Sequence, residues 1–395
     1  MHVGKISVIH SSFAKWGGAE EYAAAVIKAL VGAGLSVDVY TLSLGSGLAR
    51  LRRVIGAGAR WRVLRLRGGV LDSVGFDSIY GLLERYYVFK RLRRLLRGYD
   101  VVINTKASEL PLGADVCIVH YPVGFVLYNW DRYVVGAGVD PKYYRSLFWR
   151  AYIAPFRKAF YRASKGLRDC RVLVANSSWT ARLLEELIPG ARVVVLHPPI
   201  IMRDYVLSSN YARLKDPGLV VTVSRFDPSK RLEAVLSVAA RVKRARFVVI
   251  GRVDSPSSRH YYRWLIGLRD RLGLGNVFFA PNAPDSLKKG ILSRAGIYFH
   301  PVIGEHFGIS VLEAVLHGAY PIVHRIGGAC SDIVEALSYG KCYEELREAA
   351  KHIEEVLANG YRPLDEERLQ ELVAKFSFTA FRERLLRLVE GVLKH

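Results

Sequence analysis

Short β-rich runs alternate with helical stretches along almost the whole chain, and the alternation is played out twice. No other feature constrains the fold as strongly, because strands separated by helices build βαβ units and a parallel sheet. In the first half the strand-like runs are Ile6–His10, Ser36–Tyr40, Val101–Asn104, Val116–His120, Val172–Asn176 and Val193–Leu196. In the second they are Leu219–Ser224, Arg246–Ile250, Val277–Ala280, Ile297–His300 and Tyr320–Val323. Ala19–Ala33 reads as a helix of small and apolar residues that stops at Gly34. A chain of 395 residues exceeds one ordinary core, so two domains of about 150–200 residues each are expected. Pro198-Pro199 interrupts both helix and sheet and marks the boundary. The expected division is 1–198, 199–377 and a closing amphipathic helix over 378–395.

Composition narrows the class. With 51% hydrophobic and 24% charged residues the chain is foldable and globular. No apolar run approaches the ~18 residues that span a bilayer. Met1 to Ser12 is too short and poorly flanked for a signal peptide, so the expected location is the cytoplasm. Cys117, Cys170, Cys330 and Cys342 are scattered without a CxxC pair. That excludes the usual zinc spacings and offers no disulfide framework, leaving buried thiols as the expectation. The net charge of +22 is uneven: residues 1–195 hold 29 Lys/Arg against 14 Asp/Glu. A positive surplus in one half implies an anionic partner for that half.

The chemistry concentrates in Gly304–Asp332, GEHFGISVLEAVLHGAYPIVHRIGGACSD. Glu305 sits in a turn, Glu313 follows eight positions later inside an apolar helical run, and a Gly327-Gly328 loop follows the next strand. Carboxylates accept hydrogen bonds from hydroxyls, and free N–H groups at a helix start bind phosphate. Such a pocket suits a sugar joined to a diphosphate. The plainer reading of two glutamates near a helix is capping plus surface charge. Arg225 and Lys230 follow the strand Leu219–Val223 and lie five residues apart across a Pro-containing turn. Both can reach one diphosphate, Arg as a fork of donors and Lys as a point charge. The alternative is two solvated loop cations.

The Glu305–Glu313 string resembles the donor-site signature of the retaining GT-B glycosyltransferases of family four, whose two glutamates are separated by seven residues. Gly17-Gly18-Ala19-Glu20 is similar to the glycine loop after the first strand, His120-Tyr121-Pro122 to the acceptor-side histidine, and Ser224–Lys230 to the basic phosphate motif. Asn176-Ser177-Ser178-Trp179-Thr180 opens a helix. Together HYP, NSSWT, HPP and EHFGI most resemble the eukaryotic α-1,2-mannosyltransferases that extend the lipid-linked N-glycan precursor from GDP-mannose. The resemblance implies two Rossmann-like domains facing a cleft, with the terminal helix crossing back to the first. It assigns His120, Arg225, Lys230 and Glu305 to catalysis. Gly17, Gly18, Arg225, Lys230, His306, Phe307, Gly308, Ile309 and Glu313 would hold the donor, Glu305 at hexose hydroxyls and Glu313 at the ribose. Glu20 reads in part as a helix N-terminal charge. Gly327 and Gly328 either shape the donor site or form an ordinary turn. Retention of configuration is implied, and neither metal nor other cofactor is expected, because Arg225 and Lys230 supply the charge.

Two basic, aromatic stretches bear on the acceptor. In Leu82–Arg97, Leu82, Tyr86, Phe89, Leu92 and Leu96 share one side and Lys90, Arg91, Arg94 and Arg97 mostly the other. Tyr143–Arg168 interleaves aromatics with seven Arg/Lys. Such helices can lie on an anionic membrane surface, or pack their apolar sides into the core. The expected partners are therefore a nucleotide-sugar donor, a polyprenyl-linked glycan and a membrane surface, with peripheral attachment. A phospholipid, polysaccharide or soluble sugar remains the alternative acceptor. No RRM, helix-turn-helix or zinc-finger pattern occurs, so nucleic acid is not expected. Gly45-Ser46-Gly47 lacks the third glycine of a dinucleotide fingerprint, which argues against a nicotinamide enzyme.

Overall fold

The computed structural model describes residues 4–14, 16–45, 47–56, 58–64, 80–133, 143, 146–200, 215–360 and 364–393. They form two compact units: one takes Met1–Val135, Tyr143–Ile201 and Lys375–His395, the other Gly136–Lys142 and Met202–Ala374. Each unit is a Rossmann-like α/β layer structure around one parallel sheet.

The first sheet has β1 (Lys5–Ile9), β2 (Ser36–Thr41), β3 (Ala59–Val63), β4 (Val101–Asn104), β5 (Val116–Val119), β6 (Val172–Ala175) and β7 (Val193–Val195), in the order β3-β2-β1-β4-β5-β6-β7. The second has β8 (Asp216–Val223), β9 (Arg246–Gly251), β10 (Val277–Pro281), β11 (Ala295–His300), β12 (Tyr320–His324) and β13 (Lys341–Tyr343), in the order β10-β9-β8-β11-β12-β13. The inner strands are buried along their length because helices cover both faces, hence their near-continuous Val/Ile runs. In each sheet the chain starts centrally, builds outward to one edge, then returns to build the other side. The reversal falls between β1 and β4 in one unit and between β8 and β11 in the other. Ligands of open parallel sheets bind beyond the strand carboxyl ends at such points.

The Gly18–Val31 helix buries Tyr22 and the run Ala23–Ile27 against the first sheet. The C-terminal Phe378–Leu393 helix adds Phe381, Leu385, Val389 and Val392 to the same core as Ile6, Val8 and Tyr22. The returning helix read from the sequence is therefore present, with Lys394 and His395 outside the described residues.

Three expectations need correction. The strands β3 and β13 were not anticipated; both are edge strands, ARWRV carrying two arginines and KCY only three residues long. The cysteines are not free thiols: Cys117 pairs with Cys170 and Cys330 with Cys342. Lateral strand pairing causes the first, since β5 lies beside β6 and brings Cys117 against Cys170, two residues before that strand and 53 positions away in sequence. Leu82–Arg97 is not one helix but two, Gly81–Lys90 and Arg93–Leu96, separated by a turn. Of the two readings left open for its apolar side, packing into the core holds for Phe89, Leu92 and Leu96, which meet Ile9, Val102 and Leu110. In the second stretch the Leu147–Ser164 helix buries Ile153, Phe156 and Phe160, whereas Leu147 and Phe148 are 80% and 71% exposed. Tyr144 and Arg145 lie outside the described residues.

Candidate functional site

At the second unit's reversal point, β8 runs into Ser224–Lys230. Phe226 is fully buried in the core and anchors this loop. Gly251, at the end of β9, backs onto the Ser224 carbonyl so closely that no Cβ fits there. The Asp227 carboxylate accepts hydrogen bonds from the Ser229 amide at 2.9 Å and the Ser229 hydroxyl at 2.6 Å, capping the short Pro228–Lys230 turn. The turn presents the Lys230 ammonium 2.9 Å from Glu305 Oε2. His300, the last residue of β11, places its Nε2 3.2 Å from the same oxygen. Arg225 is exposed and forms no ion pair among the described residues.

Glu305 is fixed from behind. It bridges to Gly327, the Gly328 amide donates to the Glu305 carbonyl at 2.8 Å, and the Gly304 amide donates to the Ile326 carbonyl at 2.8 Å. Gly327 has φ of 134°, and a Cβ there would stand 2.5 Å from the Glu305 carbonyl oxygen. The two-glycine loop is therefore the support of Glu305 and not an ordinary turn. Burial alone would raise the Glu305 pKa, but Lys230 and His300 outweigh it and hold the carboxyl well below the usual range. The group is thus an anion whose lone pairs face two cation-capable donors and its neighbour's amide, His306 N–H at 3.2 Å.

The next residues turn this anion into the lip of a helix. Phe307 is buried, and Gly308, at φ of 94°, starts the Ile309–Leu316 helix with no side-chain cap. A Cβ on Gly308 would meet Ala329 at 3.0 Å. First-turn N–H groups have no partner within their own helix and favour an anion. Glu313, on the same helix, is buried and pairs with Lys288 at 2.7 Å. The structure therefore brings Lys230, Glu305 and the Gly308 helix start together, with Arg225 on the adjoining loop. It adds His300 and Lys288, which sequence reading missed. His300 ends an anticipated strand and could have been flagged on that ground; nothing marks Lys288 apart from any helical lysine.

The remaining residues lie in the first unit. His120 follows β5, its ring 5.3 Å from that of Tyr22, and its amide donates to Ser108 Oγ at 2.9 Å. Ser177 caps the Ser178–Leu187 helix by accepting from the Thr180 amide at 3.1 Å, so the NSSWT run does open a helix. Gly17 precedes the Gly18–Val31 helix. Glu20, in its first turn, pairs with Lys106 at 3.2 Å, which goes beyond a helix-end charge.

Comparison with known proteins agrees with this layout. Residues 16–202 match the model described as Glycosyltransferase Family 4, and residues 208–373 the model described as Glycosyl transferases group 1. GDP-Man:Man(3)GlcNAc(2)-PP-Dol alpha-1,2-mannosyltransferase of Homo sapiens is 28% identical over 56% of this chain and 49% of its own length. The protein of the same name from Dictyostelium discoideum is 20% identical over 56% of this chain and 48% of its own. The match thus spans about half the length of these relatives. Among solved structures, sucrose-phosphate synthase from Thermosynechococcus elongatus superposes with a TM-score of 0.73 at 18% identity, covering 99% of both chains.

Proposed function

We propose, for a chain that belongs to the GT-B glycosyltransferases of family four, transfer of a mannose from GDP-mannose onto a polyprenyl-linked oligosaccharide with an α-linkage and retention of configuration. The observation that carries the proposal is the Lys230–Glu305–His300 cluster beside the uncapped Gly308 helix start. A departing nucleoside diphosphate develops negative charge. Lys230, Arg225 and the helix N–H groups are fixed donors for it, and one such donor is commonly worth about 10²–10³ in rate. Glu305 faces the hexose hydroxyls, and Glu313 the ribose hydroxyls, each exchanging part of its lysine contact for the ligand. His120 stands on the acceptor side, where imidazole can hydrogen-bond the reacting sugar or move a proton. No covalent enzyme nucleophile is assigned; the leaving phosphate takes the acceptor proton in a front-face route.

The names of the mannosyltransferase relatives support the donor and the lipid-linked acceptor. Exposed Leu147 and Phe148 beside the basic Arg150 support contact with an anionic membrane surface. Among the described residues no helix is long and apolar enough to cross a membrane, which fits peripheral attachment. Placement on the cytoplasmic face belongs to the same proposal. Two disulfides fit it where the cytoplasm tolerates them, as in hyperthermophiles. The burial of Phe89, Leu92, Phe156 and Phe160 favours the second reading, a soluble sugar acceptor.

The test is transfer of label from a panel of GDP- and UDP-sugars into host lipid extract, with Lys230→Ala as control. Labelled lipid from GDP-mannose alone supports the proposal, and another donor removes mannose from it. Nucleotide-sugar binding without any lipid product moves the acceptor to the soluble class. Transfer is expected to survive EDTA; loss restored by one metal overturns the metal-free scheme.

A further inference from the structure

Lys230 and His300 meet the same oxygen of Glu305, but they are held with very different firmness. Lys230 ends a short turn, and its ammonium reaches Oε2 at 2.9 Å with the side chain 16% exposed. Its flexible stem lets the charge swing to a nearby anion. His300 is the last residue of β11 and is buried. Its carbonyl accepts from the Tyr343 hydroxyl at 3.2 Å, and its ring stacks with that of Tyr298, 6.2 Å away. The Tyr298 hydroxyl donates to the Val223 carbonyl at 3.1 Å, at the end of β8. A short side chain on an interior strand, packed against an anchored ring, cannot follow Lys230 when the ammonium leaves.

The direction of the histidine's hydrogen bond follows from its neighbour. Glu305 is an anion and can only accept, so Nε2, 3.2 Å from Oε2, carries a hydrogen. Nδ1 is buried and has no hydrogen-bond partner among the described residues, so a hydrogen placed there would be orphaned. A carboxylate offers about four lone-pair sites. Lys230 and His300 take those of Oε2, and the His306 amide takes one on Oε1 at 3.2 Å. When Lys230 turns to a diphosphate, a site opens on Oε2, and His300 still holds that oxygen. The terminal torsion of a glutamate is soft, so an unbraced carboxylate would rotate just as the ligand needs it fixed.

Resting on the reading that Glu305 meets the hexose of a nucleotide-sugar, we infer that His300 is a positioning residue: its Nε2–H holds the Glu305 carboxylate in the orientation that receives the hexose once Lys230 has turned to the diphosphate. His300 touches no reacting atom in this role and acts through Glu305. It therefore sorts the sugar-bearing nucleotide from the bare one. A bare nucleoside diphosphate engages Lys230 but brings no hexose to Glu305. A merely structural histidine would affect both ligands alike.

Two measurements test this. In the first, wild type, His300→Leu and His300→Gln are titrated with GDP, GDP-mannose, UDP and UDP-glucose, and the pair that the wild type binds is compared. His300→Leu should weaken the nucleotide-sugar about 10-fold, the loss of one hydrogen bond to a charged group, and leave the bare diphosphate unchanged. Glutamine carries an N–H donor of similar reach, so His300→Gln should restore most of that loss. Equal effects of His300→Leu on the two ligands overturn the inference. In the second, wild-type protein carries ¹⁵N-labelled histidine, and the His300 signals are assigned by their loss in His300→Gln. A hydrogen on Nε2 is expected; a bare Nε2 overturns the inference even where His300→Leu does not fold. A wild type that binds only the UDP pair keeps the test of His300 and removes GDP-mannose from the proposed function. One that binds neither pair removes the proposed function and leaves the Nε2 signal to decide the histidine's role.

Discussion

The two units solve the same topological problem with opposite charge. In the second, one carboxylate, Glu305, is met by Lys230 and His300 across the β8/β11 reversal. In the first, one ammonium, Lys106, is shared by Glu20 and Glu109 across the β1/β4 reversal, and His10 Nε2 faces Glu20 at 3.6 Å. Histidine, glutamate and lysine recur, but lysine follows the inner strand β8 in one case and the returning strand β4 in the other. A cation-rich point suits phosphate and a carboxylate-rich point suits hydroxyls, so one sheet architecture can divide a reaction between two chemically distinct partners.

Removing the lysine at each point should separate these roles most sharply. Lys230→Ala is expected to slow transfer by more than about 10²-fold and, by leaving buried Glu305 with only His300 beside it, to lower the melting temperature as well, read as turnover beside a thermal melt. Near-normal turnover removes Lys230 from leaving-group stabilisation. Lys106→Ala leaves Glu20 and Glu109 as uncompensated, mostly buried anions, and should destabilise by about 3 kcal/mol in a denaturant titration. A smaller loss than that of Lys230→Ala would show that water already compensates the first site.

A backbone change gives the next largest effect. Gly327→Ala forces a Cβ toward the Glu305 carbonyl at φ of 134° and should cost about 2 kcal/mol. Nucleotide-sugar affinity should fall with it, and intact affinity would detach the glycine loop from the donor site.

The smallest effect is in pH. Glu20 and Glu305 both have folded pKa values below their ordinary value near 4.5. Their stabilisation is thus fully present above about pH 4.5 and is lost as pH falls through the folded values. His10 adds a second limb, because its folded pKa lies below 6.5. The unfolded state binds this proton first, so stability contributed by neutral His10 is complete above pH 6.5 and declines below it. His10→Asn should flatten the melting-temperature curve just below pH 6.5 and leave the carboxylate limb intact. A curve unchanged there contradicts a buried neutral ring.

The same contrast explains what could be read in advance. Most of the residues proposed for the donor lie within Ser224–Lys230 and Gly304–Glu313, contiguous strings whose order carries the information. Interior strands were legible because burial on both faces imposes apolar runs; Val101–Asn104 matches to the residue. The edge strand Ala59–Val63 was not legible, since one flank faces solvent and tolerates arginine. His10, Glu20, Lys106 and Glu109 come from separate turns, and only the β1–β4 pairing makes them neighbours. Cys117 and Cys170 escaped for the same reason.

The Phe378–Leu393 helix carries a consequence for biosynthesis. Its Phe381, Leu385, Val389 and Val392 complete a core whose other buried members precede residue 197. A ribosome therefore delivers the first unit's missing piece only after the entire second unit has emerged. Most of the second unit, Met202–Ala374, emerges before that helix. Domains usually mature in the order they are made; here the unit begun first is the one completed last.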